Sequence, residues 1–170
     1  MPPPVILDPS SLDLNAIVAD QEKIRSYNPQ RYEMEHLNRV IFVDKTLHIV
    51  AGIKDVRHDE FWVRGHLPDY PLLPGVIMCE AAAQLCSFYA SCYSVIDAEF
   101  IGFGGMEDVR FRNQVRPGDQ LVMIAKALKI HRKAVLFNCQ SFVNGSMVFH
   151  GEINGVALPK HNSSKVSAKA

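Results

Sequence analysis

A histidine and a glutamate, His66 and Glu80, stand fourteen residues apart and carry side chains suited to acid–base chemistry. Histidine commonly serves as a general base near neutral pH, and a carboxyl group in apolar surroundings can serve as a general acid. Between them, Gly75 opens a stretch rich in helix formers, and the N–H groups at the start of a helix stabilise negative charge. A second interpretation stays open, in which Glu80 is a buried residue satisfied by Gln84 and a backbone amide.

The sequence around this pair predicts an extended loop followed by a long helix. Three prolines, Pro68, Pro71 and Pro74, hold the loop extended, because each fixes its own φ and disfavours helical geometry in the residue before it. From Val76 onward neither Pro nor Gly occurs until Gly102, and the run is rich in Ala and other helix formers. We therefore expect a loop that delivers His66 and a helix that carries Glu80.

The predicted helix is apolar on nearly every face. Its polar residues, Glu80, Gln84, Ser87 and Ser91, are spaced by four, three and four positions and form one narrow stripe. Such a helix lies inside a protein or inside a membrane, and about twenty apolar residues suffice to span a bilayer. Glu80 near the start of the helix, with neither Lys nor Arg anchoring its ends, favours the buried helix of a soluble protein.

Several sequence blocks around this pair resemble those of a known enzyme family. They occupy residues 65–68, Pro71, 74–76 and 80–84, with further blocks at 31–32, 38–40, 106–111 and 116–120. In type, order and spacing they are similar to motifs of the hot-dog-fold 3-hydroxyacyl-[acyl-carrier-protein] dehydratases of the FabZ class, including the interval from His to Glu. The resemblance covers roughly residues 29–158.

The resemblance implies an α+β fold, a single hot-dog domain in which an antiparallel sheet wraps around one long central helix. The domain is expected over residues 29–158, after an N-terminal extension with a short helix over 1–28. The last residues, 159–170, are small, polar and basic, and predict a disordered tail.

The resemblance also implies an activity. A hydro-lyase of this class dehydrates a (3R)-3-hydroxyacyl thioester, carried on acyl carrier protein or coenzyme A, to the trans-2-enoyl thioester in fatty acid or related lipid biosynthesis. His66 would be the base, Glu80 the acid, and the N–H of Gly75 the donor to the thioester carbonyl. The residues expected to contact substrate are Leu67, Pro74, Val76 and Gln84. A cytoplasmic homodimer or larger oligomer is expected, with the His and the Glu of one site on different subunits.

Some positions depart from the family pattern. Gln30 stands where the family usually carries His before Arg-Tyr, and residues 33–36, Glu-Met-Glu-His, replace an apolar run. Leu67 follows the catalytic His in place of Phe. The segment 100–104 carries Gly where relatives often have an aromatic that gates the acyl tunnel.

Composition sets outer limits on function. Apolar residues make up 48% and charged residues 21% of 170 residues, as in one soluble globular domain. The formal net charge is zero, which disfavours nucleic acid or an anionic membrane as a partner. The four cysteines form no CxxC pair, which argues against a zinc or redox motif and for a reducing compartment. The N-terminus lacks a secretory signal pattern. Neither metal nor organic cofactor is expected, because acid–base chemistry suffices for loss of water.

The rest of the chain predicts mainly strands. A short helix is expected within residues 12–24, capped between Asp8 and Ser11. β-Rich runs predict strands over residues 40–43, 47–50, 61–63, 109–111, 121–130, 134–143 and 146–156. Asn144-Gly145 is a strong hairpin signal.

Two alternatives to a dehydratase stay open from sequence alone. The protein could be an acyl thioesterase of the same fold, which would use a carboxylate to activate water, or a non-catalytic relative that only binds the acyl thioester. The arginines Arg110, Arg112 and Arg116 form either a solvated strand face or a docking patch for an acidic carrier protein.

Overall fold

Six strands and one long helix dominate the part of the chain that the computed structural model describes, residues 1–98 and 100–158. The strands are β1 (Arg39–Asp44), β2 (Ile49–Asp55), β3 (Phe100–Phe111), β4 (Gln120–His131), β5 (Ala134–Val143) and β6 (Ser146–Leu158). The helices are α1 (Gln21–Arg25) and α2 (Gly75–Cys92), with 3-10 turns at Pro9–Ser11 and Tyr32–Met34. The predicted tail, 159–170, lies outside the described residues.

The strands form one antiparallel sheet in the order β1-β2-β4-β5-β6-β3. Helix α2 lies on the inner face of this sheet, and its residues Ala81, Leu85, Phe88 and Ala90 have no exposed surface. This confirms the α+β prediction of a sheet wrapped around one long helix. Strand β3 ends the sheet on one side and pairs only with β6 among the described residues.

Helix α2 owes its apolar character to its place in the core. Its length and mean hydropathy of 1.2 would also suit a membrane span, but 67% of its residues are buried inside the described structure. Pro74 precedes its first turn, where a missing N–H costs nothing, and the Pro74 carbonyl accepts hydrogen bonds from Ile77 and Met78. The burial of α2 inside the sheet therefore accounts for its hydropathy.

Two hairpins follow their sequence signals. Asn144 and Gly145, with φ of 49° and 76°, form the two-residue turn between β5 and β6, and these positive φ angles match the right-handed twist of the strands. Asp44 ends β1 and accepts hydrogen bonds from the N–H groups of Thr46 and Leu47. Strand β2 begins at Ile49 rather than at residue 47, because His48 has a left-handed φ of 54°.

Three sequence predictions were wrong in detail. Residues 61–63 form turns rather than a strand, since Trp62 is drawn into the core there. The N-terminal helix is confined to Gln21–Arg25, capped by Asp20 through the N–H of Lys23, while Asp8 caps only the 3-10 turn. Strand β3 is much longer than residues 109–111. It runs through Gly102, where a Cβ would come within 2.4 Å of the Leu158 side chain.

The N-terminal segment, residues 1–16, is a strap across the outer face of the sheet. Its apolar side chains Ile6, Leu7, Leu12 and Leu14 pack on a buried cluster of β1, β2, β4 and β5. The side chain of Gln140 fixes the strap by accepting from the N–H of Ile6 at 2.9 Å and donating to the carbonyl of Pro4 at 2.8 Å. The extension therefore covers an apolar sheet face that would otherwise meet water.

Deleting the strap, residues 1–16, is expected to lower the free energy of unfolding by roughly 1 kcal/mol for each partly buried apolar side chain removed. The exposed sheet face should also bind the dye ANS and favour aggregation. Urea unfolding of the truncated chain, with Leu12→Ala in the full chain as a smaller graded change, measures this. An unchanged unfolding midpoint without dye binding would contradict the role of the strap.

Candidate active site

His66 lies in the loop between β2 and α2, with its side chain exposed. Its backbone N–H donates to the Trp62 carbonyl at 2.7 Å, and its ring Nδ1 lies 2.7 Å from the carbonyl oxygen of Leu72. A carbonyl can only accept, so Nδ1 carries a proton, and in the neutral form of the ring the lone pair is on Nε2. The loop thus selects the tautomer of His66 in which Nε2 is the nitrogen that can act as a base.

The same loop holds two residues in left-handed backbone geometry. Leu67 has a φ of 63° and Asp69 a φ of 67°, a conformation that costs about 1–3 kcal/mol for a non-glycine residue. The loop is held in this shape from outside, because the guanidinium of Arg116 stacks on the Tyr70 ring at 4.2 Å and the N–H of Leu73 donates to the loop before β4. Strain held by tertiary contacts is characteristic of functional loops.

A buried ion pair anchors the loop on its other side. Lys54 Nζ lies 2.8 Å from Glu60 Oε2, and the side chains are only 3% and 8% exposed. Burial lowers the pKa of Lys54. For Glu60, burial acts to raise the pKa, but hydrogen bonds from Lys54, Arg57 and Trp62 outweigh it, so the pKa of Glu60 is lowered. The indole N–H of Trp62 donates to Glu60 Oε2 at 3.0 Å, and the backbone carbonyl of Trp62 accepts from the N–H of His66. The pair therefore reaches His66 through Trp62.

His36 lies buried beside this pair, with 1% of its surface exposed and its Nδ1 3.4 Å from Lys54 Nζ. Burial, assisted by the charge of Lys54, lowers the pKa of His36 from 6.5 to about 4. The native protein therefore holds this imidazole neutral, while the unfolded chain protonates it below its ordinary pKa.

The depressed pKa of His36 predicts a loss of stability in acid. The contribution is fully present above pH 6.5 and is lost as the pH falls toward 4, since only the unfolded state then binds the proton. The pKa difference corresponds to about 3 kcal/mol. Unfolding free energies between pH 7 and pH 4 should show a weaker acid dependence in His36→Leu than in the wild type. Parallel pH dependence in the two proteins would contradict the assignment.

Glu80 lies in the second turn of α2, half-buried, and two amide side chains bind the same one of its oxygens. Gln84 Nε2 donates to Glu80 Oε1 at 2.8 Å, and Gln30 Nε2 lies 3.4 Å from that atom. Glu80 Oε2 makes no hydrogen bond within the described residues. The interpretation of Glu80 as a residue satisfied by Gln84 is therefore half right, because one carboxylate oxygen is engaged and the other is left for a ligand.

Gln84 positions Glu80 with an amide whose hydrogen-bonding groups are all engaged. Its Nε2 also donates to the Met34 carbonyl at 2.7 Å, and its Oε1 accepts from the N–H groups of His36 at 2.9 Å and Leu37 at 3.2 Å. All four hydrogen-bonding positions of the amide are used, and only 2% of the residue is exposed. The contact of Gln84 with substrate stays a prediction, and these bonds give the residue a second role in holding Glu80. The role of Gln30 beside Glu80 was missed, because fifty residues separate the two in sequence.

Glu80 opens onto a cavity of about 70 Å³ between α2 and the far end of the sheet. The cavity is lined by Gln30, Glu80, Ala83, Cys86, Ser87, Ile101, Gly102, Phe103, Phe137, Ile153, Asn154 and Gly155. His66 is not among these residues, and its ring bonds to Leu72 rather than to Glu80. One chain therefore presents His66 and Glu80, the predicted base and acid, at separate places.

Gly75 begins helix α2, and the backbone hydrogen bonds of the first turn start at Ile77. The N–H of Gly75 therefore has no acceptor within the described residues and can donate a hydrogen bond to an anionic oxygen. A Cβ at this position would come within 2.7 Å of the Phe111 ring, which stacks on Phe149. The packing of Phe111 explains the glycine.

Of the other residues predicted to contact substrate, Pro74 and Val76 adjoin Gly75 in the chain and Leu67 lies in the loop before it. Leu67 and Val76 are 47% and 72% exposed, large values for apolar side chains, and Pro74 is half-buried. They do not line the Glu80 cavity. Their contact with substrate stays a prediction.

Comparison with known proteins places the chain in a family. A family model described as a FabA-like domain matches residues 28–152. The 3-hydroxyacyl-[acyl-carrier-protein] dehydratase FabZ of Acinetobacter baylyi is 36% identical over 137 residues, which cover 79% of this chain and 91% of that protein. The FabZ of Syntrophobacter fumaroxidans is 36% identical over 135 residues, with 79% and 90% covered.

Solved structures agree on the fold. The dehydratase heterocomplex ApeI:P from Xenorhabdus doucetiae matches with a TM-score of 0.69 at 21% identity, covering 81% of this chain and 91% of that one. Cj0977, a sigma28-regulated virulence protein from Campylobacter jejuni, matches with a TM-score of 0.65 at 21% identity, covering 89% and 99%. With the helix, the sheet order and the His66 and Glu80 motifs described above, these matches show that the chain belongs to the FabA-like family of hot-dog-fold proteins, alongside the FabZ dehydratases.

Proposed function

We propose that this protein is a hydro-lyase that removes water from a (3R)-3-hydroxyacyl thioester on acyl carrier protein, giving the trans-2-enoyl thioester in fatty acid or related lipid biosynthesis. The observation that carries the proposal is that His66 and Glu80 each keep one nitrogen or oxygen atom without a hydrogen-bond partner among the described residues. His66 donates through Nδ1, which leaves Nε2 as its basic nitrogen, and Glu80, which lines a cavity, has one carboxyl oxygen engaged and the other without a partner there. One group can take a proton while the other supplies one.

The reaction then needs three groups of the protein. His66 Nε2 takes the proton from the α carbon, and the electron pair of that bond moves onto the thioester carbonyl. The N–H of Gly75 at the helix start stabilises the enolate oxygen that results. The electrons return to form the α,β double bond as the bond to the 3-hydroxyl breaks, and Glu80 Oε2 gives that oxygen the proton that completes a water molecule.

We propose that one complete site combines His66 of one subunit with Glu80 of the other. His66 and Glu80 lie apart in one chain, and the family resemblance places the His and the Glu of one site on different subunits. Strand β3 offers a surface for the partner, because its outer edge is unpaired among the described residues and it carries Phe103 and Phe111 with half of their surfaces exposed. An exposed edge strand with apolar side chains favours pairing with a second copy. We place the homodimer in the cytoplasm, where the four free cysteines would stay reduced.

Three arginines at the end of β3 and in the segment that follows it, Arg110, Arg112 and Arg116, suit docking of an acidic carrier. Arg116 is held on the Tyr70 ring, Arg112 donates to His150 at 3.0 Å, and Arg110 is exposed. Reversing one rim charge, Arg110→Glu, is expected to lower kcat/KM for a carrier-protein thioester by about tenfold through slower association, and to leave the coenzyme A thioester nearly unaffected. Lys129→Glu, on the exposed end of β4, serves as a control for added negative charge. Equal losses on both substrates for Arg110→Glu would point away from docking.

The direct test is reversible hydration of a trans-2-enoyl thioester, followed by loss of the ultraviolet absorbance of the conjugated double bond. Hydration of the carrier-protein or the coenzyme A thioester supports the proposal and shows which carrier is preferred. Release of free thiol without hydration would mean a thioesterase. Binding without either reaction would leave an acyl-thioester-binding protein.

A further inference from the structure

A buried hydrogen-bond acceptor beside Glu80 has no partner. Gln30 Oε1 is buried and accepts no hydrogen bond within the described residues, and Gln30 lines the cavity onto which Glu80 opens. Other buried side-chain atoms without a partner, such as Asn138 Oδ1 and His36 Nε2, belong to residues outside this cavity. A buried acceptor left unpaired costs about 1–3 kcal/mol. A small rotation of the Gln30 side chain would turn Oε1 to the cavity, where a ligand could donate to it.

The orientation of the Gln30 amide follows from its neighbour. Its Nε2 lies 3.4 Å from Glu80 Oε1, the oxygen that also accepts from Gln84. Glu80 Oε1 therefore acts as an acceptor, and the proton that Glu80 donates in the reaction belongs on Oε2. The nitrogen must therefore face Glu80 and the oxygen must face away from it. Gln84 donates to the same carboxylate oxygen at 2.8 Å and holds the carboxylate in place. Two groups with unused capacity remain here, Glu80 Oε2 and Gln30 Oε1.

A ligand that uses both groups must accept a proton from Glu80 and donate a hydrogen bond to Gln30. An alkyl chain does neither, whereas an alcohol oxygen does both, since it carries lone pairs and one hydrogen. We propose that Gln30 Oε1 accepts the hydrogen bond of the substrate 3-hydroxyl, and afterwards that of the departing water, while Glu80 protonates the same oxygen. Gln30 thereby becomes a third catalytic side chain. This deepens the proposed dehydration and rests on it.

The proposal predicts that Gln30 recognises the hydroxyl and leaves the rest of the substrate to other groups. The test uses full-length His66→Ala protein, which removes the base, so that ligands can be measured at equilibrium. Calorimetry compares the Kd of (3R)-3-hydroxybutyryl-coenzyme A with that of butyryl-coenzyme A, which differ only in the 3-hydroxyl. The ratio of the two Kd values measures the contribution of the 3-hydroxyl to binding. A change in the cavity that weakens both ligands equally would leave this ratio unchanged.

Adding Gln30→Met, which keeps the length of the side chain and removes its polar atoms, is expected to reduce the preference for the hydroxyacyl ligand by about 5- to 10-fold. The Kd of the butyryl ligand should change little. Gln30→His, which restores one donor and one acceptor nitrogen, is expected to recover much of the preference. Asn138→Ala removes an unpaired buried acceptor elsewhere and should leave the ratio as it is in His66→Ala alone.

An unchanged ratio in Gln30→Met, or equal weakening of both ligands, would overturn the role of Gln30 while leaving the dehydratase intact. A wild-type protein that hydrates no enoyl thioester would overturn the proposed function and this role with it. The hydration assay and the binding ratio therefore separate the two failures.

Discussion

Replacing His66 by Ala or Glu80 by Gln is expected to lower the rate of enoyl thioester hydration by about 100-fold or more in each case. His66→Ala removes the free Nε2 that exchanges a proton with the α carbon. Glu80→Gln keeps the shape of the side chain but removes the proton donor that faces the cavity. Because the two groups act in one reaction, the double variant should lose little more than either single variant.

The controls use residues of the same type outside the site. His58→Ala changes an exposed histidine of the same loop, and Glu33→Gln changes an exposed glutamate before β1. Both should retain activity close to that of the wild type. Circular dichroism and urea unfolding must show that each variant folds. Near-normal activity in a folded His66→Ala or Glu80→Gln protein would remove that residue from the mechanism.

A mixed dimer of two inactive variants is expected to recover activity. In a mixed dimer of one His66→Ala chain and one Glu80→Gln chain, a site built across subunits combines the intact His66 of one chain with the intact Glu80 of the other. The second site of that dimer carries both defects. Purified mixed dimers should therefore regain about half of the wild-type rate, although each homodimer is inactive, because two-fold symmetry gives two equivalent sites.

Co-expression of the two variants with different affinity tags, followed by purification over both tags in turn, isolates the mixed dimer. Its rate is compared with those of the two variant homodimers and of a doubly tagged wild-type dimer. If base and acid came from the same chain, every site in the mixed dimer would carry one defect. Activity as low as that of the homodimers would therefore contradict assembly of the site across subunits.

Sequence alone determined the features that depend on local chemistry. The helix formers after Gly75 predicted α2, and Asn144-Gly145 predicted its hairpin, because helix propensity and positive φ are properties of a few adjacent residues. The apolar faces of α2 predicted burial in a core. The types and spacing of His66 and Glu80 indicated acid–base chemistry, and the surrounding motifs indicated the family that the comparisons then showed.

Tertiary structure decided what depends on distant residues. Gln30 reaches Glu80, Lys54 pairs with Glu60 under the His66 loop, and the strap covers the outer sheet face, yet none of these contacts has a local sequence signal. Residues 61–63 have strand propensity but form turns, since burial of Trp62 outweighs it. The amide of Gln84 makes four hydrogen bonds, one to Glu80 and three to backbone groups of Met34, His36 and Leu37, which lie far from it in sequence. Propensity acts between neighbours along the chain, whereas burial and hydrogen-bond satisfaction are settled only when the whole chain is packed.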